Sequence, residues 1–287
     1  MMIIDLSMVV RRCYAKMDFL MASIGVKTGI EFGTLRIIES LQRRFPDQEI
    51  VLCLDSKKSW RKDKYPMYKA NRGRILTDAY YSRLNVFIRF LKCVYVTAEA
   101  EGFEADDVIY KMSRQPGKHY IYSNDHDLLQ AVGVNVTMLK SFQSKLYHWD
   151  AAKVLEEYGV PPKYLAEYMA FTGDKGDNVI GVPRIKKKFL ASLIAWAHAN
   201  NKTISEMLEE IKTAEWGALL KANVATFIDT GEFHKNYELV KLGGDVEAMV
   251  VNQPTNDETF IVERLKHWEI FSLKLSAKYG VLGSEDF

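Results

Sequence analysis

Nine carboxylates of this chain stand where short apolar runs stop or where a helix should begin: Asp5, Asp55, Glu104, Asp106, Asp107, Asp125, Asp127, Asp174 and Asp177. The runs Met2-Ile3-Ile4, Ile50-Val51-Leu52-Cys53-Leu54, Val94-Tyr95-Val96-Thr97 and Tyr120-Ile121-Tyr122 are continuous rather than alternating, the pattern of parallel strands buried on both faces. An open α/β sheet gathers its ligands outside the carboxyl ends of such strands. Acids converging there would repel one another strongly without a metal between them. Their oxygens suit Mg²⁺ or Mn²⁺. Zinc would call for Cys and His, and the three cysteines and six histidines have no metal-ligand spacing.

Strand-like and helical stretches alternate from residue 2 to about residue 130: strand 2–5, helix 28–43, strand 49–54, helix 78–92, strand 93–97, helix 105–114, strand 119–123 and helix 126–131. The alternation predicts an α/β fold, a mainly parallel twisted sheet flanked by helices. Val136–Leu139 and Leu146–Trp149, split by a polar turn, predict an edge hairpin. Asp150 caps a helix ending near Gly159, and Pro161-Pro162 opens the next. Beyond that the pattern is helical, with a capping box at Thr203 and Glu206 and an amphipathic run from Glu258 to Lys278 ending at Gly280. Two parts sharing an interface are expected.

The formal net charge of +2 conceals segregation, because basic clusters at Lys57 to Arg74 and Arg184 to Lys188 offset the acids. No window approaches the roughly 20 apolar residues of a membrane span, and the first strand starts at residue 2, so a cytoplasmic protein with reduced Cys13, Cys53 and Cys93 is expected.

Gly102-Phe103-Glu104-Ala105-Asp106-Asp107 puts three acids at a helix start, where the macrodipole helps hold carboxylates ionised; simple N-terminal capping explains any one of them equally well. Ser123-Asn124-Asp125-His126-Asp127 follows a strand, so its two aspartates point into one crevice and His126 points away; an Asn/Asp turn is the bland alternative. Gly173-Asp174-Lys175-Gly176-Asp177-Asn178 is a turn between helices. The next segment, Val179 to Ile185, reads as a hairpin entering a helix whose N-terminus carries Lys186, Lys187 and Lys188, either a phosphate-holding end or a solvated face. Between Lys57 and Arg74, Trp60, Tyr65 and Tyr68 interleave with cations, a composition suited to a single strand or to a local core.

Asp5, Leu54-Asp55, Trp60-Arg61, Tyr68-Lys69-Ala70-Asn71-Arg72, Glu104-Ala105-Asp106-Asp107, Asp125-His126-Asp127 and Gly173-Asp174-Lys175-Gly176-Asp177-Asn178, in that order, resemble the ordered motifs of the 5'-nuclease, or flap endonuclease, family. The resemblance covers roughly residues 2 to 190 and is nearest in flavour to the T-even phage ribonuclease H branch; the 5'-3' exonuclease domain of bacterial DNA polymerase I belongs to the same family. It implies a PIN-like 5'-nuclease core over 1–160, with a helical arch at about 57–92. It also implies a helical DNA-binding region over 161–287, with a helix-three-turn-helix at about 165–192. The implied enzyme is a 5'-3' exonuclease and flap endonuclease using two Mg²⁺ (or Mn²⁺). It would act on branched, flapped or nicked DNA and RNA-DNA hybrid, and so remove RNA primers in replication.

The implied first metal cluster is Asp5, Asp55, Glu104, Asp106 and Asp107; the second is Asp125, Asp127, Asp174 and Asp177. Lys69, Arg72, Asp107 and Arg11 become catalytic candidates, with Lys69 as the clamp on the transition state. Arg61, Lys69, Arg72, Arg74, Gly181, Arg184, Lys186, Lys187 and Lys188 become DNA-binding candidates. The chain departs from the family where Gly-Val-Pro-Gly-Ile-Gly becomes Gly181-Val182-Pro183-Arg184-Ile185-Lys186, which puts the tight hairpin and its potassium ion in doubt. A monomer is expected. The tail, Val281 to Phe287, is either a frayed end or a docking segment for a single-strand binding protein or sliding clamp. Two rival readings, a catalytically weak DNA-binding accessory protein and a PIN-type ribonuclease, are disfavoured by the full acid set with Lys69 and by the second cluster.

Overall fold

The computed structural model describes residues 1–72, 77–244, 246 and 249–281. Its centre is a seven-stranded sheet in the order β6-β5-β4-β1-β2-β3-β9. These strands are β1 (Met2–Asp5), β2 (Ile50–Cys53), β3 (Val96–Ala100), β4 (His119–Tyr122), β5 (Val136–Phe142), β6 (Lys145–Trp149) and β9 (Met249–Asn252), with β7 (Gly173–Asp174) and β8 (Val179–Ile180) forming a separate hairpin. The inner five strands pair in parallel, and β6 and β9 close the two edges antiparallel. β1 and β2 are wholly buried because helices cover both faces, which is why their sequences are apolar without alternation. From β1 the chain order runs outward both ways, through β2 and β3 on one side and β4 and β5 on the other. The carboxyl end of β1, where Asp5 lies opposite Cys53, is therefore the topological switch point of the sheet.

On one face lie α1 (Leu6–Met17), α2 (Gly29–Arg44), α4 (Asp78–Val94), α12 (Glu258–His267) and α13 (Lys274–Lys278), whose apolar sides form one core with Met2, Ile4 and Leu52. Phe87 and Phe90 of α4 meet Trp268 edge-on at ring distances of 5.7 and 5.1 Å. On the other face lie α5 (Ala105–Ser113), a 3₁₀ turn (Asp127–Ala131) and the helical region: α6 (Ala151–Tyr158), α7 (Leu165–Thr172), α8 (Lys187–Ala199), α9 (Ile204–Thr213), α10 (Ala218–Asp229) and α11 (Glu232–Val240). The capping box at Thr203 and Glu206 is present. The short α3 (Trp60–Lys64) precedes the acidic crevice.

Several sequence expectations shift. α1 follows β1 without a break, capped by Asp5 itself. α4 runs on to Val94, so β3 starts three residues later than the predicted strand at 93. The helix predicted over 126–131 is a 3₁₀ turn, Asp127–Ala131, not an α-helix. The region beyond 161 is not wholly helical, because β9 returns to the sheet beside β3 and α12 packs against the N-terminal face. The amphipathic run 258–278 breaks into α12 and α13 around Glu269, which has φ +51°. The stretch 57–92 divides into α3 with its following turn and α4, which packs onto the sheet; residues 73–76, and with them Arg74, lie outside the described residues. The tail from 282 also lies outside them. Among the described residues no helix is long and apolar enough to cross a membrane.

Candidate metal centre and nucleic-acid face

The carboxyl ends of β1, β2 and β4 deliver Asp5, Asp55 and Asp125 to one crevice, and the start of α5 adds Glu104 and Asp106. Asp5 is buried; its oxygens accept from the Met8 backbone N–H at 2.9 Å and the Ser123 hydroxyl at 2.7 Å. Ser123 Oγ in turn accepts the Asp125 N–H at 3.0 Å, so one serine ties the ends of β1 and β4. Asp55 accepts from Ser7 Oγ and, at 2.8 Å, from the Ala105 N–H at the start of α5. Burial, with the neighbouring charges of Asp55 and Asp125, pushes the Asp5 carboxyl up to about 6. The Asp106 carboxyl is held well above the ordinary carboxylate range by burial and then by Asp125 and Asp5. No donor among the described residues reaches it.

A second group of acids lies beside the first. Carboxylate oxygens of Asp127, Asp174 and Asp177 come within 4.8 Å of one another. Asp127 is likewise pushed well up by burial, then by Asp125, Asp177 and Asp174. Asp125 acts on both groups, raising Asp5 and Asp106 as well as Asp127, and so joins the two predicted clusters electrostatically.

Lys69 lies between them. Its ammonium donates to both Glu104 oxygens at 2.9 Å and stands 3.6 Å from Asp177 Oδ2. The Tyr68 hydroxyl is 3.0 Å from both Glu104 Oε2 and Asp177 Oδ2. Burial opposes charge on Glu104, but Lys69, Arg61 and Tyr68 outweigh it and hold the carboxyl below its usual range. Arg72 pairs with Asp177 and donates to Gly176 O at 3.1 Å. Lys69 takes a left-handed backbone (φ +55°), stabilised by its N–H on the Asp177 carbonyl at 2.9 Å. Tyr68 is buried, so it offers no free stacking surface.

Two predicted site residues are paired with each other. Arg61, expected to touch DNA, and Asp107, expected to hold metal and take part in catalysis, form a buried bidentate ion pair with side chains 1% and 0% exposed. Arg61 also donates to the carbonyls of Leu239 and Lys241 at 2.7 and 3.1 Å, and the Gly243 N–H reaches Asp107 at 3.2 Å. The pair fastens α3 and α5 to the chain leaving α11. Both Asp107 oxygens are thus engaged and closed to solvent, and each buried charge is neutralised by the other. Arg11 is exposed on α1 and makes no ion pair among the described residues.

The loop between α7 and α8 carries the basic candidates. β7 (Gly173–Asp174) pairs with β8 (Val179–Ile180), and the backbones run so close that a Cβ on Gly181 would fall 2.3 Å from the Thr172 carbonyl carbon. Gly181 is thus required for packing. The next turn closes through Ile185 N–H to Val182 O at 3.4 Å, with Pro183 second and Arg184 third at φ +59°. That is a type II pattern, whose third position favours glycine. The tight turn persists without its glycine, at a cost of about 1 kcal/mol in a left-handed arginine. Lys186 needs no such conformation, with φ −77°. Arg184, Lys186, Lys187 and Lys188 are all exposed around the start of α8.

Ser7, Ser123 and Tyr68 are site residues that the sequence pattern did not single out, although Ser123 heads the Ser123–Asp127 motif and Ser7 lies two residues past Asp5. His126, expected to point away, contacts the Tyr158 hydroxyl through Nδ1 and Lys140 Nζ at 3.2 Å through Nε2.

The family described as 5'-3' exonuclease, N-terminal resolvase-like domain, matches residues 1–159, more than half of the chain. The chain belongs to the 5'-3' exonuclease family. Among members of this nuclease family, it is 31% identical over 219 residues to the 5'-3' exonuclease of Buchnera aphidicola (Acyrthosiphon pisum), covering 74% of this chain and 75% of that one. It is 28% identical over 230 residues to DNA polymerase I of Mycobacterium bovis, 77% of this chain but only 24% of the polymerase. The chain therefore spans about a quarter of the length of such polymerase relatives. The fold matches the bacteriophage T5 flap endonuclease crystallised with DNA and metal ions, with TM-score 0.63 and 17% identity over 97% of this chain and 95% of that one.

Proposed function

We propose that this protein is a structure-specific 5'-nuclease that hydrolyses phosphodiesters with two Mg²⁺ (or Mn²⁺) ions. The observation that carries this is the convergence of acids from three adjacent strand ends at the switch point of the sheet, beside the Asp127, Asp174 and Asp177 group. The donor set is all oxygen, which fits a hard divalent cation, and Asp106 lies among like charges with no donor of its own among the described residues. Asp5, Asp55, Glu104 and Asp106 would hold one ion, and Asp127, Asp174 and Asp177 the other, with Asp125 between. Metal bound there supplies water activation and neutralises charge developing on the scissile phosphate.

The chain's own residues do the rest. Lys69 brings a fixed positive charge to the boundary of the two groups, where it stabilises the phosphorane-like charge without reorganisation. Arg72 adds a second cation on the same turn. Lys186, Lys187 and Lys188, with the free N–H groups opening α8, take the duplex backbone, and Arg184 adds a side-chain contact. The T5 relative was crystallised with DNA and metal ions, which supports the same ligands here. The substrates proposed are flapped or nicked DNA and RNA-DNA hybrid, cut by 5'-3' exonuclease and flap endonuclease action, including removal of RNA primers. The test incubates the protein with a 5'-labelled flap, a nicked duplex and a hybrid, in Mg²⁺ or in EDTA. Short labelled products in Mg²⁺ alone are expected; no cleavage of any of the three rejects the reading.

A further inference from the structure

Beside the Asp127 and Asp174 carboxylates opens a cleft of about 460 Å³, whose other walls include His126, Tyr158, Tyr168 and Lys187. None of the chemistry above uses His126 or Tyr158, yet both are held in a defined chain of contacts. Lys140 Nζ lies 3.2 Å from His126 Nε2, and His126 Nδ1 contacts the Tyr158 hydroxyl. An ammonium donates only, so His126 Nε2 must accept, and the ring proton resides on Nδ1. Nδ1–H then donates to the Tyr158 oxygen, which leaves the phenolic proton free to point elsewhere. Burial beside Glu157 keeps the phenol protonated, pushed up to about 12. Lys140 is itself positioned over the Trp149 ring, 4.6 Å from its centroid.

We propose that the Lys140–His126–Tyr158 chain aims the Tyr158 hydroxyl into this cleft as a hydrogen-bond donor to a non-bridging phosphate oxygen of the bound strand. Lys187 attracts the same phosphate from the other wall. The inference rests on the phosphodiesterase reading of the adjacent acids. It makes Tyr158 a substrate-binding residue, and Lys140 and His126 positioning residues that act through it.

The test combines binding and spectroscopy. Affinity for a nicked duplex is measured with Ca²⁺ in place of Mg²⁺, and long-range ¹H–¹⁵N correlation spectra report the His126 tautomer. Tyr158→Phe should weaken binding about fivefold, the loss of one net hydrogen bond, with an unchanged thermal melt. Lys140→Met should weaken binding similarly and move the His126 proton from Nδ1 toward Nε2; Lys140→Arg, which also only donates, should restore both. Wild-type affinity in Tyr158→Phe, or an unaltered tautomer in Lys140→Met, overturns the proposal. Should the wild-type protein bind no DNA, the phosphodiesterase reading fails. A wild-type protein that binds while Tyr158→Phe binds equally well refutes only the relay.

Discussion

Adjacent aspartates at the start of α5 should respond in opposite directions to the same substitution. Asp107 is fully buried against Arg61, with two guanidinium contacts and the Gly243 N–H. Asp107→Asn leaves that guanidinium buried with Glu104 Oε2 at 3.7 Å as its nearest remaining anion. Breaking a buried pair in this way costs about 3–5 kcal/mol. Asp106 sits among Asp125, Asp5 and Asp55 with its charged form disfavoured. Asp106→Asn removes that repulsion, and in metal-free protein should stabilise on the order of 1 kcal/mol, as replacements of functional charges commonly do. Urea unfolding followed by tryptophan fluorescence in EDTA measures both. Equal stability of Asp107→Asn and wild type, or similar destabilisation by the two variants, would refute the assignment of one acid to the frame and the other to the site.

Other outcomes follow from the same contacts. The Asp5 carboxyl, with an ordinary value of 3.8, is raised to about 6, so the folded state binds its proton more tightly than the unfolded chain. Its contribution is greatest below the unfolded value and is lost as pH rises through about 6, so metal-free protein should gain up to about 3 kcal/mol from pH 7 to pH 4 at this group. Thermal melts across that range with and without Mg²⁺ should show the slope flattened by the metal. Arg184→Gly relieves the left-handed arginine and should stabilise by about 1 kcal/mol while lowering the salt slope of duplex binding by about 1. Cleavage titrated separately against KCl and NaCl should give superimposed curves, and a marked potassium preference would count against side-chain contacts replacing the hairpin glycines.

Much of the architecture could be read from residues because burial on both faces leaves a direct mark: β1, β2 and β4 are apolar without alternation. β9 left none, being four residues long, half exposed and at an edge. The slip at β3 arose because Val94-Tyr95-Val96-Thr97 is strand-like in composition although the helix ladder of α4 holds through Val94. Asp5, Asp55 and Asp125 were legible together because each follows an apolar strand, and Glu104 and Asp106 because they open a helix. The split between Asp106 and Asp107 was not, since neighbours on a helix point about 100° apart and only the tertiary fold decides which one meets Arg61. Tyr68 was ambiguous for a related reason: aromatic residues interleaved with basic ones suit both a nucleic-acid strand and a packed core.

In the proposed mechanism two acid groups hold metal for phosphodiester hydrolysis, that of Asp5, Asp55, Glu104 and Asp106 for the chemistry and that of Asp127, Asp174 and Asp177 more loosely. Single-turnover cleavage of a 5'-labelled flap, measured against free Mg²⁺ for wild type, Asp106→Asn and Asp174→Asn, tests it directly. The Asp174→Asn rate should recover toward wild type as Mg²⁺ rises, while Asp106→Asn stays lower by on the order of 10³-fold, the scale of losing one transition-state stabilising group. Cleavage that persists in EDTA, or equal losses in the two variants at every Mg²⁺ concentration, would contradict it.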